Sequence, residues 1–170
     1  MVKKNGSMKL IISIMVMTLC STRIAADGFI PESFSPPTLI SADEFVLEPL
    51  GPRLVEIDYI AYMSSIEHLQ RTFSRGGSWP NDSITREDAM IDMQTEQARF
   101  EARESFAYAV LDLDREVELG CVYVYPSKKR GFDAMVRLWV TAAEYEKGFD
   151  EKLYEWSKHW LENDWPFAQT

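Results

Sequence analysis

The segments Phe106-Ala-Tyr-Ala-Val-Leu-Asp112, Leu119-Gly-Cys-Val-Tyr-Val-Tyr-Pro126 and Asp133-Ala-Met-Val-Arg-Leu-Trp-Val140 decide the fold of this sequence. Each is rich in Val and aromatic residues, which suit a pleated, half-buried surface. The short polar stretch at 113–118 predicts a hairpin between the first two segments, and the basic, Gly-containing loop at 127–132 leads into the third. The pattern therefore predicts an antiparallel meander in the middle of one sheet.

The composition predicts a single packed domain. The chain has 170 residues, of which 46% are apolar and 12% aromatic. A chain of this length has room for one hydrophobic core, and this apolar content is too high for a disordered chain. The formal net charge of -9 argues against a nucleic-acid partner, because acidic proteins repel phosphate backbones.

Residues 1–26 are predicted to be a signal peptide that exports the chain to the periplasm or beyond. Lys3, Lys4 and Lys9 precede the apolar run Leu10–Leu19, which is too short to span a bilayer. Two alternatives stay open. An uncleaved signal would give the only membrane contact that we expect, and a mis-assigned start would leave the chain in the cytoplasm.

Residues 27–44 are predicted to be an extended, Pro-containing arm, and residues 45–170 the folded domain. Phe45–Leu50 is predicted to be its first strand. A helix is predicted from an N-cap at Asp58 to Arg71, with an inner stripe at every third position, formed by Ile60, Met63, Ile66 and Leu69.

Two residues near this helix have open interpretations. His68 is either a partly exposed helix residue or a wall of a substrate site. Trp79, in a loop containing Gly and Pro, is either a buried plug or a lid over a ligand. Cys121 is predicted to be a small buried residue, with a catalytic thiolate as the alternative, while Cys20 lies in the signal.

The remaining segments predict two more helices and a last strand. Thr85-Arg-Glu-Asp88 resembles a capping box, and Ala89, Met93 and Phe100 mark the inner face of the helix that follows it. The acids of this helix, Glu87, Asp92, Glu96 and Glu101, are predicted to form a solvated face. A helix from Asp150 carries the apolar stripe Leu153, Trp156, Trp160 and Leu161, and Trp165-Pro-Phe167 is predicted to start a strand.

This α+β order resembles the GNAT superfamily of N-acetyltransferases and, more narrowly, a bacterial group of hypothetical GNAT-like acetyltransferases. The resemblance runs from about Phe34 to the C-terminus. It is carried by Phe45–Leu50, Asp58–Leu69, Trp79-Pro80, Phe106–Leu111, Gly120–Pro126, Asp133–Val140 and Trp165–Phe167. It implies a mixed, mostly antiparallel GNAT-like sheet flanked by helices, with a short C-terminus.

The resemblance implies an activity as well as a fold. In GNAT enzymes an amine attacks the thioester of acetyl-CoA, so neither a metal nor a protein nucleophile is expected. The last meander strand, here Leu138, Trp139 and Val140, would hold the pantetheine arm. The helix start near Lys147 and Gly148 would hold the pyrophosphate. Asp133, Glu67 and His68 are the candidate groups for proton transfer.

The sequence departs from the family at the turn Tyr145-Glu-Lys-Gly-Phe-Asp150, where only Gly148 fits the phosphate-binding pattern. The superfamily also usually continues beyond Trp165-Pro-Phe167, so the sheet is expected to have an exposed edge that could pair with a second copy. Two functions follow: an N-acetyltransferase, active or degenerate, for a small-molecule amine, or an exported, non-catalytic GNAT-fold module that binds a ligand or partner.

Overall fold

Two strands, three helices, three strands and two helices follow one another along the computed structural model, which describes residues 28–73 and 78–168. Its elements are β1 (Ile40–Ser41), β2 (Val46–Pro49), α1 (Val55–Met63), α2 (Ile66–Thr72), α3 (Arg86–Glu101), β3 (Phe106–Leu111), β4 (Glu118–Pro126), β5 (Ala134–Val140), α4 (Ala142–Tyr145) and α5 (Phe149–Asp164). Within these ranges, no helix combines the length and the apolar character needed to cross a bilayer. The predicted signal peptide lies outside the described residues.

The five strands form one sheet in the order β1-β2-β3-β4-β5, and every neighbouring pair is antiparallel. The predicted meander is confirmed as β3, β4 and β5. Helices cover both faces, so the predicted α+β, mostly antiparallel fold is confirmed as well. The predicted first strand is β2, and the proline-containing arm contributes the two residues of β1.

The central strand, β3, is buried on both faces of the sheet. All six of its residues are at most 2% exposed. Because side chains alternate along a strand, Phe106, Tyr108 and Val110 enter the core on one face, and Ala107, Ala109 and Leu111 enter the core on the other. Two of the three residues on this second face are small alanines.

The face that carries Tyr108 packs against α5. Leu153, Trp160 and Leu161 of this helix are buried, as the predicted stripe requires, and the rings of Trp160 and Tyr108 meet edge to face at 5.4 Å. The Tyr108 hydroxyl donates a hydrogen bond to the Pro37 carbonyl at 3.0 Å, which ties the N-terminal arm to this core.

The opposite face packs against α1 and α3. The capping box at the start of α3 is confirmed, since the Thr85 side chain accepts from the Asp88 amide and Asp88 accepts from the Thr85 amide. Ala89 and Met93 are buried as predicted. Phe100, at the end of the helix, departs from this face and packs edge to face against Phe106 in the other core.

The single helix predicted from Asp58 to Arg71 is wrong. The chain forms two helices, α1 and α2, which are separated at Ser64–Ser65. A 3-10 turn at Pro52–Leu54 leads directly into α1, so this helix starts three residues before Asp58 and turns a different face to the sheet. Ala61 is buried in place of Ile60, which is 54% exposed.

The strand predicted at Trp165-Pro-Phe167 is also wrong. The Trp165 side chain is 5% exposed and packs against Phe34, Phe106 and Trp160, so the segment folds back over the α5 face. Consequently no described strand pairs with the outer edge of β5. Pairing of this edge with a second copy stays a prediction.

We expect Gly120→Ala to destabilise the protein. Gly120 lies opposite Val140 in the register of β4 and β5, and a methyl group there would overlap the backbone of Trp139 and Val140. Overpacking of this kind typically costs about 1–3 kcal/mol. Urea denaturation measures the cost. Gly51→Ala is the matched control, because its nearest neighbour is the mobile end of Gln97 at 3.3 Å; equal losses in the two variants would contradict the prediction.

Candidate acceptor pocket and donor turn

An acidic pocket of about 220 Å³ lies between α1, α3 and β4. Three carboxylates, those of Asp58, Asp92 and Glu96, reach it. Its aromatic walls are Tyr62, Trp79 and Tyr123. The pocket thus combines negative charge with aromatic faces, both of which attract organic cations.

Asp92 and Glu96 reach this pocket because of their positions on α3. They lie three and seven residues after Ala89, which places them on the helix face that turns toward the sheet. The predicted solvated face is confirmed for Asp92, which is exposed although it borders the pocket, and is wrong for Glu96. Both line the pocket, and only 16% of the Glu96 side chain is exposed.

The Glu96 carboxylate has one bound and one unbound oxygen. Oε1 accepts a hydrogen bond from Arg99 Nη1 at 2.7 Å, whereas Oε2 is buried and has no hydrogen-bond partner among the described residues. Burial raises the pKa of Glu96, and Arg99 opposes this rise. Burial also raises the pKa of Asp92, and the nearby charge of Asp88 adds to it. Arg99 therefore offsets part of the negative charge of the pocket, and the rest is left without a basic partner among the described residues that line it.

A second acidic group lies beneath this pocket. Asp58 of α1 is 7% exposed, and Glu118 and Cys121 of β4 are 2% and 0% exposed. The Cys121 thiol donates a hydrogen bond to Glu118 Oε1 at 3.1 Å and lies 3.9 Å from Asp58 Oδ1. Neither acid was expected here, since Asp58 was predicted to cap a helix and Glu118 to belong to a polar hairpin.

Burial dominates the electrostatics of this group. It raises the pKa of Asp58 to about 7, while hydrogen bonding with Glu118 lowers it and the Asp92 charge raises it further. Burial and the neighbouring Asp58 raise the pKa of Glu118 well above its usual range. Burial raises the pKa of the Cys121 thiol too. A buried, protonated thiol is a poor nucleophile, which argues against the catalytic alternative for Cys121.

Trp79 forms the outer wall of the acidic pocket. Its ring meets those of Tyr62, Phe73 and Trp139 at 5.4, 5.8 and 6.2 Å, respectively. The side chain is half-buried and lines the pocket. Trp79 therefore packs on the core, as the plug interpretation predicts. It also borders the pocket, and its role as a lid over a ligand stays a prediction.

The predicted donor site begins on β5. Leu138 is half-buried, whereas Trp139 and Val140 are each 2% exposed. The Trp139 indole donates a hydrogen bond to the Tyr123 hydroxyl at 3.3 Å. A GNAT pantetheine arm would need backbone groups on the outer edge of this strand, and that edge has no partner strand in the described part of the chain.

The turn after β5 uses its amides within the protein. The Ala142 amide donates to Ser65 Oγ at 2.9 Å, and the Glu144 amide donates to Thr141 Oγ1 at 3.3 Å. Two amides at the start of α4 are therefore satisfied within the chain, whereas the start of α5, where the pyrophosphate was predicted to bind, has no side-chain cap.

The charges around this turn also oppose an anion. Lys147 Nζ forms an ion pair with Glu144 Oε1 at 2.7 Å. Gly148 adopts a left-handed conformation, with φ of 73°, and serves as the N-cap of α5. Asp150 and Glu151 follow in the first turn of that helix. Their carboxylates occupy the region where the helix dipole favours negative charge.

The structure places the three candidate proton-transfer residues in two regions. Glu67 and His68 line an open hollow of about 650 Å³ that reaches Ala142, and the His68 ring lies 4.7 Å from that of Tyr145. Asp133 precedes β5, at the opposite end of a strand that spans on the order of 20 Å. There it accepts a hydrogen bond from the Ala168 amide.

Comparison with solved structures identifies the fold. The chain superposes on the ribosomal-protein-S5-alanine acetyltransferase from Vibrio fischeri with a TM-score of 0.55 and 11% identity, covering 74% of this chain and 68% of that one. It superposes on a proposed ribosomal-protein-serine acetyltransferase from Vibrio cholerae with a TM-score of 0.53 and 14% identity, covering 68% and 62%. No protein-family model and no curated protein matches the sequence.

These matches confirm the predicted GNAT-like acetyltransferase fold. The chain spans about two thirds of the length of each enzyme, at 68% and 62%. At these identities the likeness concerns the fold, and the function must be argued from the residues of this chain.

We expect Ser65→Ala to destabilise the protein more than Ser35→Ala. The first change removes the acceptor of the half-buried Ala142 amide, and loss of a hydrogen bond of this kind typically costs about 0.5–1.5 kcal/mol. Ser35 is exposed in the N-terminal arm and serves as the control, with an expected effect within about 0.5 kcal/mol. Urea denaturation of both variants measures the difference. If Ser65→Ala is neutral, the bond does not hold the turn closed.

Proposed function

We propose that this chain is a GNAT-fold module that binds a small organic amine in the acidic pocket. One observation carries the proposal: Asp92 and Glu96, one helical turn apart, both line the pocket, and Glu96 has a buried oxygen, Oε2, without a hydrogen-bond partner in the described structure. An ammonium group supplies both the missing donor and the missing positive charge, and charge-assisted hydrogen bonds are the strong ones.

The walls of the pocket support the same ligand class. Trp79, Tyr62 and Tyr123 can contact the apolar body of an amine and attract its charge through their ring faces. The volume of about 220 Å³ suits a small molecule better than a folded partner. An acetyltransferase needs an amine acceptor, so this pocket is consistent with a GNAT-like ancestry.

The turn after β5 favours binding over transfer. Ser65 and Thr141 accept hydrogen bonds from the Ala142 and Glu144 amides at the start of α4. The start of α5 has no side-chain cap, but Asp150 and Glu151 place two carboxylates in its first turn. Export, which remains a prediction from residues 1–26, would also separate the chain from acetyl-CoA, a cytoplasmic cofactor. Together these features support a non-catalytic module.

A second candidate function is N-acetyl transfer from acetyl-CoA to the bound amine. The observation in its favour is the open hollow of about 650 Å³ beside Ala142, which Glu67, His68 and Arg71 line. In this reaction the amine nitrogen would attack the thioester carbonyl and the CoA thiolate would leave. His68 or Glu67 would take the proton that the amine loses, and Arg71 would offer positive charge to the donor.

Calorimetry with cadaverine tests amine binding, and 1,5-pentanediol, which has the same chain length and no charge, is the control ligand. We expect the diamine to bind and the diol not to bind. Asp92→Asn and Glu96→Gln should each weaken cadaverine binding about 10-fold or more, because a charge-assisted hydrogen bond contributes about 1.5–3 kcal/mol. Glu87→Gln, on an exposed part of α3, should have no effect. Equal binding by all variants would refute the proposed site.

Calorimetry with acetyl-CoA separates the two candidate functions. The module predicts no heat of binding at millimolar cofactor and no change in cadaverine affinity in Gly148→Asp. The enzyme predicts binding that Gly148→Asp abolishes, together with release of free CoA thiol when cadaverine and acetyl-CoA are both present. Detection of free CoA thiol would rule out the non-catalytic module and would support the acetyltransferase.

A further inference from the structure

We infer that Asp58, Glu118 and Cys121 form a binding site for one divalent transition-metal ion, with zinc as the best-matched ion. The site lies beneath the acidic pocket, between α1 and β4. Asp58 belongs to both, but the metal site stands on its own geometry and does not require the amine. It also departs from the expectation, drawn from the family resemblance, that no metal takes part.

The distances suit tetrahedral coordination. One ligand atom from each residue lies within 4.8 Å of the others. Cys121 Sγ is 3.1 Å from Glu118 Oε1 and 3.9 Å from Asp58 Oδ1. A tetrahedral zinc ion with bonds of about 2.3 Å to sulfur and about 2.1 Å to oxygen separates those atoms by about 3.6 Å. The two observed separations lie on either side of this value, so small side-chain rotations would admit the ion.

An unpartnered atom points to a missing cation. Glu118 is 2% exposed, and its Oε2 has no hydrogen-bond partner among the described residues. A buried carboxylate oxygen without a partner is costly. Asp58 and Glu118 also hydrogen-bond to each other, and the charges that act on them come from carboxylates and not from a basic side chain. A bound cation would supply what this oxygen lacks.

The ligand types select the class of metal. Calcium and magnesium prefer sites made only of oxygen, whereas the sulfur of Cys121 favours a softer ion. Zinc accepts thiolate and carboxylate ligands together. Three protein ligands leave one position for water. Two ligands come from one strand and the third from a helix, so the ion would join α1 to the sheet.

Cobalt(II) provides the test, because a cobalt–thiolate bond gives a charge-transfer band in the near ultraviolet. We would use the full chain with Cys20→Ser, which leaves Cys121 as the single thiol of the 170 residues. Cobalt(II) chloride is added to the folded protein, and separately during refolding from urea. We expect one equivalent to give the band and zinc chloride to abolish it by displacement.

Variants assign the band to the three residues. Cys121→Ser should remove it. Glu118→Gln should weaken cobalt binding at least about 10-fold, since loss of an outer-shell partner alone costs 10–100-fold. Glu116→Gln, two residues earlier in the same hairpin and exposed, should bind cobalt like the parent protein. Circular dichroism confirms that each variant is folded.

The parent protein alone can overturn the inference, whatever the variants do. Absence of the thiolate band both with folded and with refolded protein would show that Cys121 does not bind metal. Weak binding without the band would assign cobalt to surface carboxylates and would overturn it as well. The amine site is tested independently, because Asp92→Asn and Glu96→Gln should each weaken cadaverine binding about 10-fold or more and keep the cobalt band.

Discussion

The two-sided burial of β3 is the constraint on which the rest of the structure depends. Phe106 and Tyr108 fill the core under α5, whereas Ala107 and Ala109 leave room for helices on the other face. Because β3 contributes to both cores, the neighbouring strands must stay in a fixed register with it. At position 120 in β4 this register leaves no room for a side chain, since a Cβ would overlap the backbone of Trp139 and Val140. The helices that carry the acidic pocket are positioned by the small face of this strand.

The sequence predicted the parts of the fold that repeat a strong local pattern. The meander, the capping box of α3 and the stripe of α5 follow from alternation, capping chemistry and helical period. The break at Ser64–Ser65 was missed because a stripe of apolar residues at every third position continued through it. The return of Trp165 was missed because its packing on Phe106 depends on distant residues, which no local pattern encodes.

The candidate site was harder to predict than the fold, and for a physical reason. Asp92 and Glu96 shared the helical period of Ala89 and Met93, so the signal existed, but acids on a helix usually face water. Asp58 and Glu118 gave no such signal, because their meeting requires α1 to lie across β4. Buried carboxylates are rare, so an acidic residue in a sequence is normally predicted to be exposed. Once the fold shows such a residue to be buried, the same rarity marks it as a candidate functional group.

The Ser65–Ala142 hydrogen bond has a consequence for how this fold could change its chemistry. The serine hydroxyl is tethered beside the amide, so its effective concentration is far above that of any free ligand. An incoming phosphate must compete with this built-in acceptor before it gains any contact of its own. A single substitution at Ser65 would remove that competition. The acids at the start of α5 would still repel the phosphate, so at least two changes separate this turn from an anion-binding site.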